Sequence, residues 1–357
     1  MCVSNLLSGL SRRLPCSLSD DRLRRVWPAH AVCLIALLFC LAQQAHAQTT
    51  GAIVFSGLKN DGSFNELAHE GTKRAIEQLD LDIQEWVATD EQEVFGVLRS
   101  LAKHGADHLV TLGFTNTEAV RTVATEYPDV MFTHIDGLIA DMPNVRSILF
   151  SEQESGFVAG YVAGLKSKSA KVGTIGGTDI PPVRRFMCGF AAGAKHADGS
   201  VEIQASYVGP NSGAFRDIRG GKLAAEQMLT SGVDVIFAPA GLAAEGVAKA
   251  AEGAGAHVIM VDANRNAFIP GTVLTSALKR VDEAAFATWK SVSNGTWTAG
   301  VEIMTVRENG VDWAVDEHNK ALVVDIERSV SEVKRALADG TLVIEPVDNV
   351  AGCSEIL

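Results

Sequence analysis

Three things are scarce in this sequence, and each scarcity excludes a class of protein. Thiols are few. Of six cysteines in 357 residues, only Cys188 and Cys353 lie beyond position 40, which excludes a small disulfide-knit scaffold and a cysteine-cluster metal site. Positive charge is short. Lys and Arg number 31 against 43 Asp and Glu, a net charge of −12. The first 47 residues carry five arginines against Asp20 and Asp21, a surplus of three, so −15 falls on residues 48–357. That balance, with no basic patch, excludes the electrostatic footprint of a nucleic-acid or anionic-lipid binder. Long apolar runs are missing as well. Beyond residue 47 nothing approaches the roughly 20 apolar residues that cross a bilayer.

What stands at the start reads as a secretory leader. Arg12, Arg13, Arg22, Arg24 and Arg25 give a basic opening, residues 31–42 form a short uncharged apolar run, and Ala45-His-Ala47 offers a small-x-small pattern, so cleavage is expected before Gln48. Val32 precedes Cys33 and Phe39 precedes Cys40, both poor contexts for lipid attachment. The expectation is a periplasmic chain without a lipid anchor. In that oxidising compartment Cys188 and Cys353 either pair, tying the C-terminus to the second half, or remain two buried thiols.

From residue 51 strands and helices alternate. Short apolar strands are expected at 52–55, 83–88, 108–112, 130–135 and 145–150, with helices at 66–79, 91–104, 115–127 and 151–165 between or after them. Leu67, Ala75, Ile76 and Leu79 keep helical spacing, and Gly105 and Pro128 supply stops. The helix at 151–165, rich in Ala and Gly, is expected to pack closely on a neighbour. A second round follows. Its strands fall at 171–175, 202–208, 235–237, 257–261 and 273–277, its helices at 183–196, 217–231 and 243–253, and further helices at 282–292 and 326–338.

Such alternation predicts an α/β protein of two doubly wound, Rossmann-like lobes joined by a hinge of strand crossings. The expected divisions are a leader at 1–47, an N-terminal lobe at 48–167 completed by part of 279–300, a C-terminal lobe at 168–278 completed by part of 301–340, and a tail at 341–357. Ligands of such folds bind beyond the carboxyl ends of the strands, so residues just after strands are the ones to examine.

Four segments carry a resemblance. They are Asn60-Asp-Gly-Ser-Phe-Asn65; Gly173-Thr-Ile-Gly-Gly-Thr-Asp179 with Pro182-Val-Arg-Arg-Phe186 and Gly189-Phe190; Phe215-Arg-Asp217 with Gly221-Lys222; and Val261-Asp262 with Ser276-Ala-Leu-Lys-Arg-Val-Asp282. In order and spacing, from about Gly51 to Val315, they are similar to the basic membrane protein family of substrate-binding proteins, whose best-known members are purine nucleoside receptors of ABC transporters. The resemblance implies a type I periplasmic binding protein fold, a non-enzymatic role, an inner-membrane permease as partner and a ligand held between two phenylalanines.

On that resemblance Phe64 and Phe215 are stacking platforms, one on each lobe; the alternative for Phe64 is a ring tucked back onto its own lobe. Asp262 accepts from the N–H groups of a purine edge or caps the following segment. Lys279 donates to a purine oxygen or nitrogen, or pairs with Asp282. Asp136 accepts from ribose hydroxyls or serves the loop. Asn60, Asp61 and Asn65 bond the sugar, unless Asn65 only caps the helix expected from residue 66. Gly241 lets backbone approach the ligand or makes a turn. One departure stands out: the family often has a second acid shortly after the Asp262 position, whereas this run reads Asp262-Ala-Asn-Arg-Asn266.

No phosphate loop, dinucleotide fingerprint or nucleophile elbow is present, so neither cofactor nor catalysis is expected, and the chain is expected to be a monomer. A sensory co-receptor using the same cleft, or a receptor for a sugar or amino acid, is the competing reading.

Overall fold

The computed structural model describes residues 50–348. The leader, its cleavage point and Cys353 lie outside the described residues. The first sheet contains β1 (Thr50–Ser56), β2 (Asp82–Ala88), β3 (His108–Leu112), β4 (Met131–Ile135), β5 (Val145–Phe150) and β11 (Gly300–Met304), in the order β11-β5-β4-β3-β1-β2 with every neighbouring pair parallel. The second contains β6 (Lys171–Gly176), β7 (Glu202–Tyr207), β8 (Val235–Phe237), β9 (His257–Asp262), β10 (Val273–Lys279) and β12 (Val311–Trp313), in the order β12-β10-β9-β8-β6-β7, with only β12 antiparallel. These are two doubly wound lobes of the type I periplasmic binding protein kind. Central strands such as β3 are buried along their whole length, as a parallel sheet covered on both faces requires. The edge strands β7 and β11 are largely exposed. β11 is exposed and polar-laced, and β12 is only three residues long with Asp312 at its centre, so neither carries enough apolar signal to be expected from sequence.

In the first lobe α1 (Phe64–Leu79), α2 (Glu91–Lys103), α3 (Thr117–Glu126) and α8 (Val281–Ser293) cover the sheet. In the second lobe the cover is α4 (Glu152–Lys166), α5 (Pro181–Ala197), α6 (Ile218–Thr230) and α7 (Ala244–Ala254), with α9 (Lys320–Val323) and α10 (Glu327–Asp339) near the end. The chain crosses between lobes three times: between β5 and α4, between β10 and α8, and between β11 and β12. The first crossing corrects the expected boundary after residue 167. Helix α4 packs on α5 and on β8, β10 and β12, so the first lobe releases the chain at Ser151.

Glycine explains why α4 belongs there. A Cβ on Gly156 or Gly160 of α4 would lie 2.2 or 1.9 Å from the carbonyl oxygens of Phe186 and Phe190, and one on Gly189 or Gly193 of α5 would lie 2.2 or 1.9 Å from those of Gln153 and Phe157. The two backbones therefore touch through reciprocal glycines. This contact is the close neighbour that the small residues of α4 point to. Cys188 on α5 is disulfide-bonded. Replacing Gly160 or Gly193 by Val should lower unfolding free energy by about 1–3 kcal/mol or more through overpacking. Gly199→Ala, where a Cβ meets nothing within 4 Å, should be close to neutral; urea unfolding curves compare the three.

Candidate functional site

Both sheets reverse their strand order beside their first strand, β1 next to β3 and β6 next to β8, and a crevice opens there at the carboxyl ends. The two crevices face one another as a single cavity of about 440 Å³. Its wall takes Asp61, Phe64, Asn65 and Asp136 from the first lobe and Phe215, Gly241, Asp262 and Lys279 from the second. Eight of the nine expected ligand residues are thus brought together. Asn60 is the exception: it is exposed on the loop after β1 and forms no part of the wall.

The loop before α1 is built by its own polar groups. Asp61 accepts from the backbone N–H of Ser63 at 2.9 Å and of Asn65 and Glu66 at 3.1 Å, and from the Asn65 amide at 2.9 Å. Asp61 is therefore the cap of α1, and burial raises its carboxyl above the ordinary value against the pull of those donors. Asn65 does not cap. It lies within the helix, and its amide ties back to the Ser56 backbone N–H and carbonyl, each at 3.3 Å. The result holds Phe64, half-buried, in the wall of the cavity.

Asp136 and Asp262 end their strands with left-handed backbone, φ 74° and 63°, a region that Asp tolerates better than most residues. Asp262 accepts from Ser63 Oγ of the other lobe at 2.5 Å. Lys279 ends β10 with 2 % of its surface exposed. Its ammonium donates to Asp136 Oδ2 at 2.5 Å and to Glu152 Oε1 at 2.9 Å, and lies 5.2 Å from the ring centre of Phe64, 5.0 Å from Phe150 and 5.8 Å from Phe186. The alternative of a pair with Asp282 fails, because Asp282 is bound by Arg280 at 2.8 Å. Asp136 Oδ1 is buried and has no protein partner.

Phe215 lies in the short turn Ser212–Arg216 after β7, braced by glycine. A Cβ on Gly177 would stand 2.3 Å from its ring, and one on Gly241 would stand 3.3 Å from its carbonyl oxygen. Gly241 packs against Phe215, and its φ of 57° is the left-handed region that favours glycine. Behind the wall, Glu152 is fully buried and accepts from Arg185 Nε at 2.7 Å, and Arg185 reaches on to Asp348 at 2.7 Å. Sequence reasoning missed Glu152, Arg185 and Ser63. Ser63 lay inside a quoted motif, whereas Glu152 reads as an ordinary first-turn acid of α4. A third interlobe tie comes from Arg265, which donates to the Gly62 carbonyl and to Glu245, each at 2.7 Å.

Electrostatics follows from burial. Desolvation pushes Asp262 up to about 6, against the pull of Lys279 and Ser63. Burial likewise raises Asp136 despite Lys279. Burial works against the charge of Lys279, but Asp136, Glu152 and Asp262 outweigh it and hold its pKa above the ordinary value. A carboxyl with a raised folded-state pKa favours the folded state most when protonated, and that contribution is lost as pH rises through the folded value. The stability of the ligand-free wild type relative to Asp262→Asn should therefore grow as pH falls from 7 to 5, by about 1.3 kcal/mol, and keep growing until the pH falls below the unfolded value. A difference between the two proteins that is flat in pH would refute the assignment.

Comparison with known proteins now has a geometry to attach to. A family profile described as ABC transporter substrate-binding protein, PnrA-like, matches residues 48–339. Basic membrane protein B of Borrelia garinii is 31% identical over 291 residues, 78% of this chain and 84% of that protein. An uncharacterised lipoprotein of Pyrococcus horikoshii is 33% identical over 278 residues, 74% of this chain and 69% of the relative. The crystal structure of an ABC transporter solute-binding protein from Aeropyrum pernix superposes with a TM-score of 0.77 at 27% identity, covering 86% of this chain and 95% of that one. No helix among the described residues is long and apolar enough to cross a membrane. The lipoprotein name of the Pyrococcus relative lends no support to an anchor-free chain.

Proposed function

This chain belongs to the Bmp family of ABC transporter substrate-binding proteins, and from that premise we propose that it carries a purine nucleoside, or a flat polar molecule of that size, to its permease. As a family member it works outside the cytoplasm, binds a small molecule and serves a transporter permease. The reading of the ligand is carried by one observation: an aromatic ring from each lobe, Phe64 and Phe215, lines the same cavity as the carboxylates of Asp136 and Asp262. Rings on both walls suit a planar guest, and its area contributes most when both lobes are shut on it. Asp262 takes the N–H groups of the base edge, Lys279 offers its remaining N–H to a base oxygen or nitrogen, and Asp136 Oδ1 accepts from sugar hydroxyls. The mature protein is read as a monomer in the periplasm that returns its guest unaltered. Asp61 and Asn65 line the wall but spend their polar groups on the loop, and Asn60 is exposed outside it, so this reading gives all three a supporting role.

Titration calorimetry and thermal shift with adenosine, inosine, free bases, ribose and amino acids test the proposal. Purine nucleosides are expected to stabilise the mature chain and to be recovered intact. Phe64→Ala and Phe215→Ala should each weaken binding by roughly 5- to 150-fold, the factor matching about 1–3 kcal/mol of lost stacking. Silence with every purine compound, or release of free base, would overturn this reading.

A further inference from the structure

A chain of alternating charges runs from behind the cavity into its wall. It runs from Asp348 in the C-terminal segment to Arg185 at 2.7 Å, to Glu152 at 2.7 Å, to Lys279 at 2.9 Å and to Asp136 at 2.5 Å. Asp136 and Lys279 line the cavity; Glu152 and Arg185 do not. Glu152 has no exposed surface, and the Arg185 side chain is 12% exposed. Neither group can be neutralised by water, so each acts on its neighbours through a low-dielectric interior.

The arrangement has a consequence for charge. An ammonium facing a cleft ordinarily attracts anions. Here Lys279 is shared between two carboxylates, and Asp262 adds a third negative group within the same wall. Among the buried and half-buried groups in the wall and directly behind it, Lys279 and Arg185 stand against Asp61, Asp136, Glu152 and Asp262, a surplus of two negative charges. Remove Glu152 and the surplus falls to one; remove Arg185 and it rises to three.

We propose that Glu152 and Arg185 are positioning residues that tune the charge of the Lys279–Asp136 pair from behind, so that the site selects a neutral ligand over its anionic counterpart of the same shape. Glu152 holds Lys279 against the wall and cancels its attraction for anions. Arg185 keeps Glu152 from drawing Lys279 wholly away from Asp136. The ligand class rests on the nucleoside reading above; the charge tuning does not. Around Asp136, burial raises the carboxyl, Lys279 lowers it, Glu152 raises it and Arg185 lowers it.

Two measurements test this on the mature full-length chain. Without ligand, the Asp136 carboxyl is followed by carbon NMR, its signal assigned with Asp136→Asn. Glu152→Gln should move its titration to lower pH and Arg185→Gln to higher pH, with Arg185→Lys restoring wild-type behaviour. A merely structural role predicts a common direction or none, and either result overturns the proposal. With ligand, adenosine is compared with adenosine-5′-carboxylate, which differs in charge far more than in size. Glu152→Gln should improve the relative affinity of the carboxylate by about tenfold, and Arg185→Gln should worsen it by a similar factor. An unchanged ratio in both variants overturns the proposal. If adenosine fails to bind the wild type, the nucleoside reading falls, and the Asp136 titration still decides the tuning.

Discussion

The ammonium of Lys279, buried between Asp136 and Glu152, is the constraint around which the two lobes are arranged. A buried charge is tolerable only when paired and hydrogen-bonded, and stripping one partner from such a pair costs about 3–5 kcal/mol. Its position gives the interaction its reach. Lys279 is the last residue of β10, just before the chain crosses to α8; Glu152 opens α4, just after the crossing from β5; Asp136 ends β4 in the first lobe. The ion cluster therefore sits on two of the three crossings. Rotation of one lobe against the other about these segments moves the cavity mouth far and the cluster little, so the charges stay paired while the jaws travel.

Away from the crossings the lobes are tied by lighter bonds. Ser63 of the first lobe donates to Asp262 of the second, and Arg265 of the second donates to the carbonyl of Gly62 in the first. Both reach the loop that Asp61 organises and that carries Phe64. Arg265, three positions after Asp262, grips the opposite lobe and is itself held by Glu245. Arg265 is thus outside the cavity wall and acts on closure rather than on the guest.

Much of this was legible in the sequence. The alternation of apolar strands and helical spacings marks both sheets except β11, which is exposed, and β12, whose three residues are too short a run to read as a strand. The motif residues Phe64, Phe215, Asp262 and Lys279 do meet in one cavity. What the sequence could not disclose is which polar group spends itself on which neighbour. Asp61 and Asn65 are chemically able to hold a sugar, yet both are consumed by the loop. Gly241 does lie in the cavity wall, where its left-handed backbone, φ 57°, favours glycine. The lobe boundary was misjudged because reciprocal glycines, rather than apolar spacing, decide that α4 lies on the second sheet. Glu152 was invisible because its partners stand 33 and 127 positions away.

The balance between these ties and the guest decides whether closure reports ligand. Polar bonds such as Ser63–Asp262 form whether or not a guest is present, so they favour the shut form unconditionally. A receptor that shut equally well when empty would present its permease with a false signal, and a ligand shifts such an equilibrium only by its difference in affinity for the two forms. Asp136 Oδ1 supplies an opposing term. Buried in the cavity wall without a protein partner, it costs about 1–3 kcal/mol when the lobes close on nothing that can donate to it. On the nucleoside reading proposed above, the hydroxyls of the guest would remove the penalty and its base would add the faces of Phe64 and Phe215. The carboxylate that Lys279 holds by one oxygen thus makes closure conditional through the other.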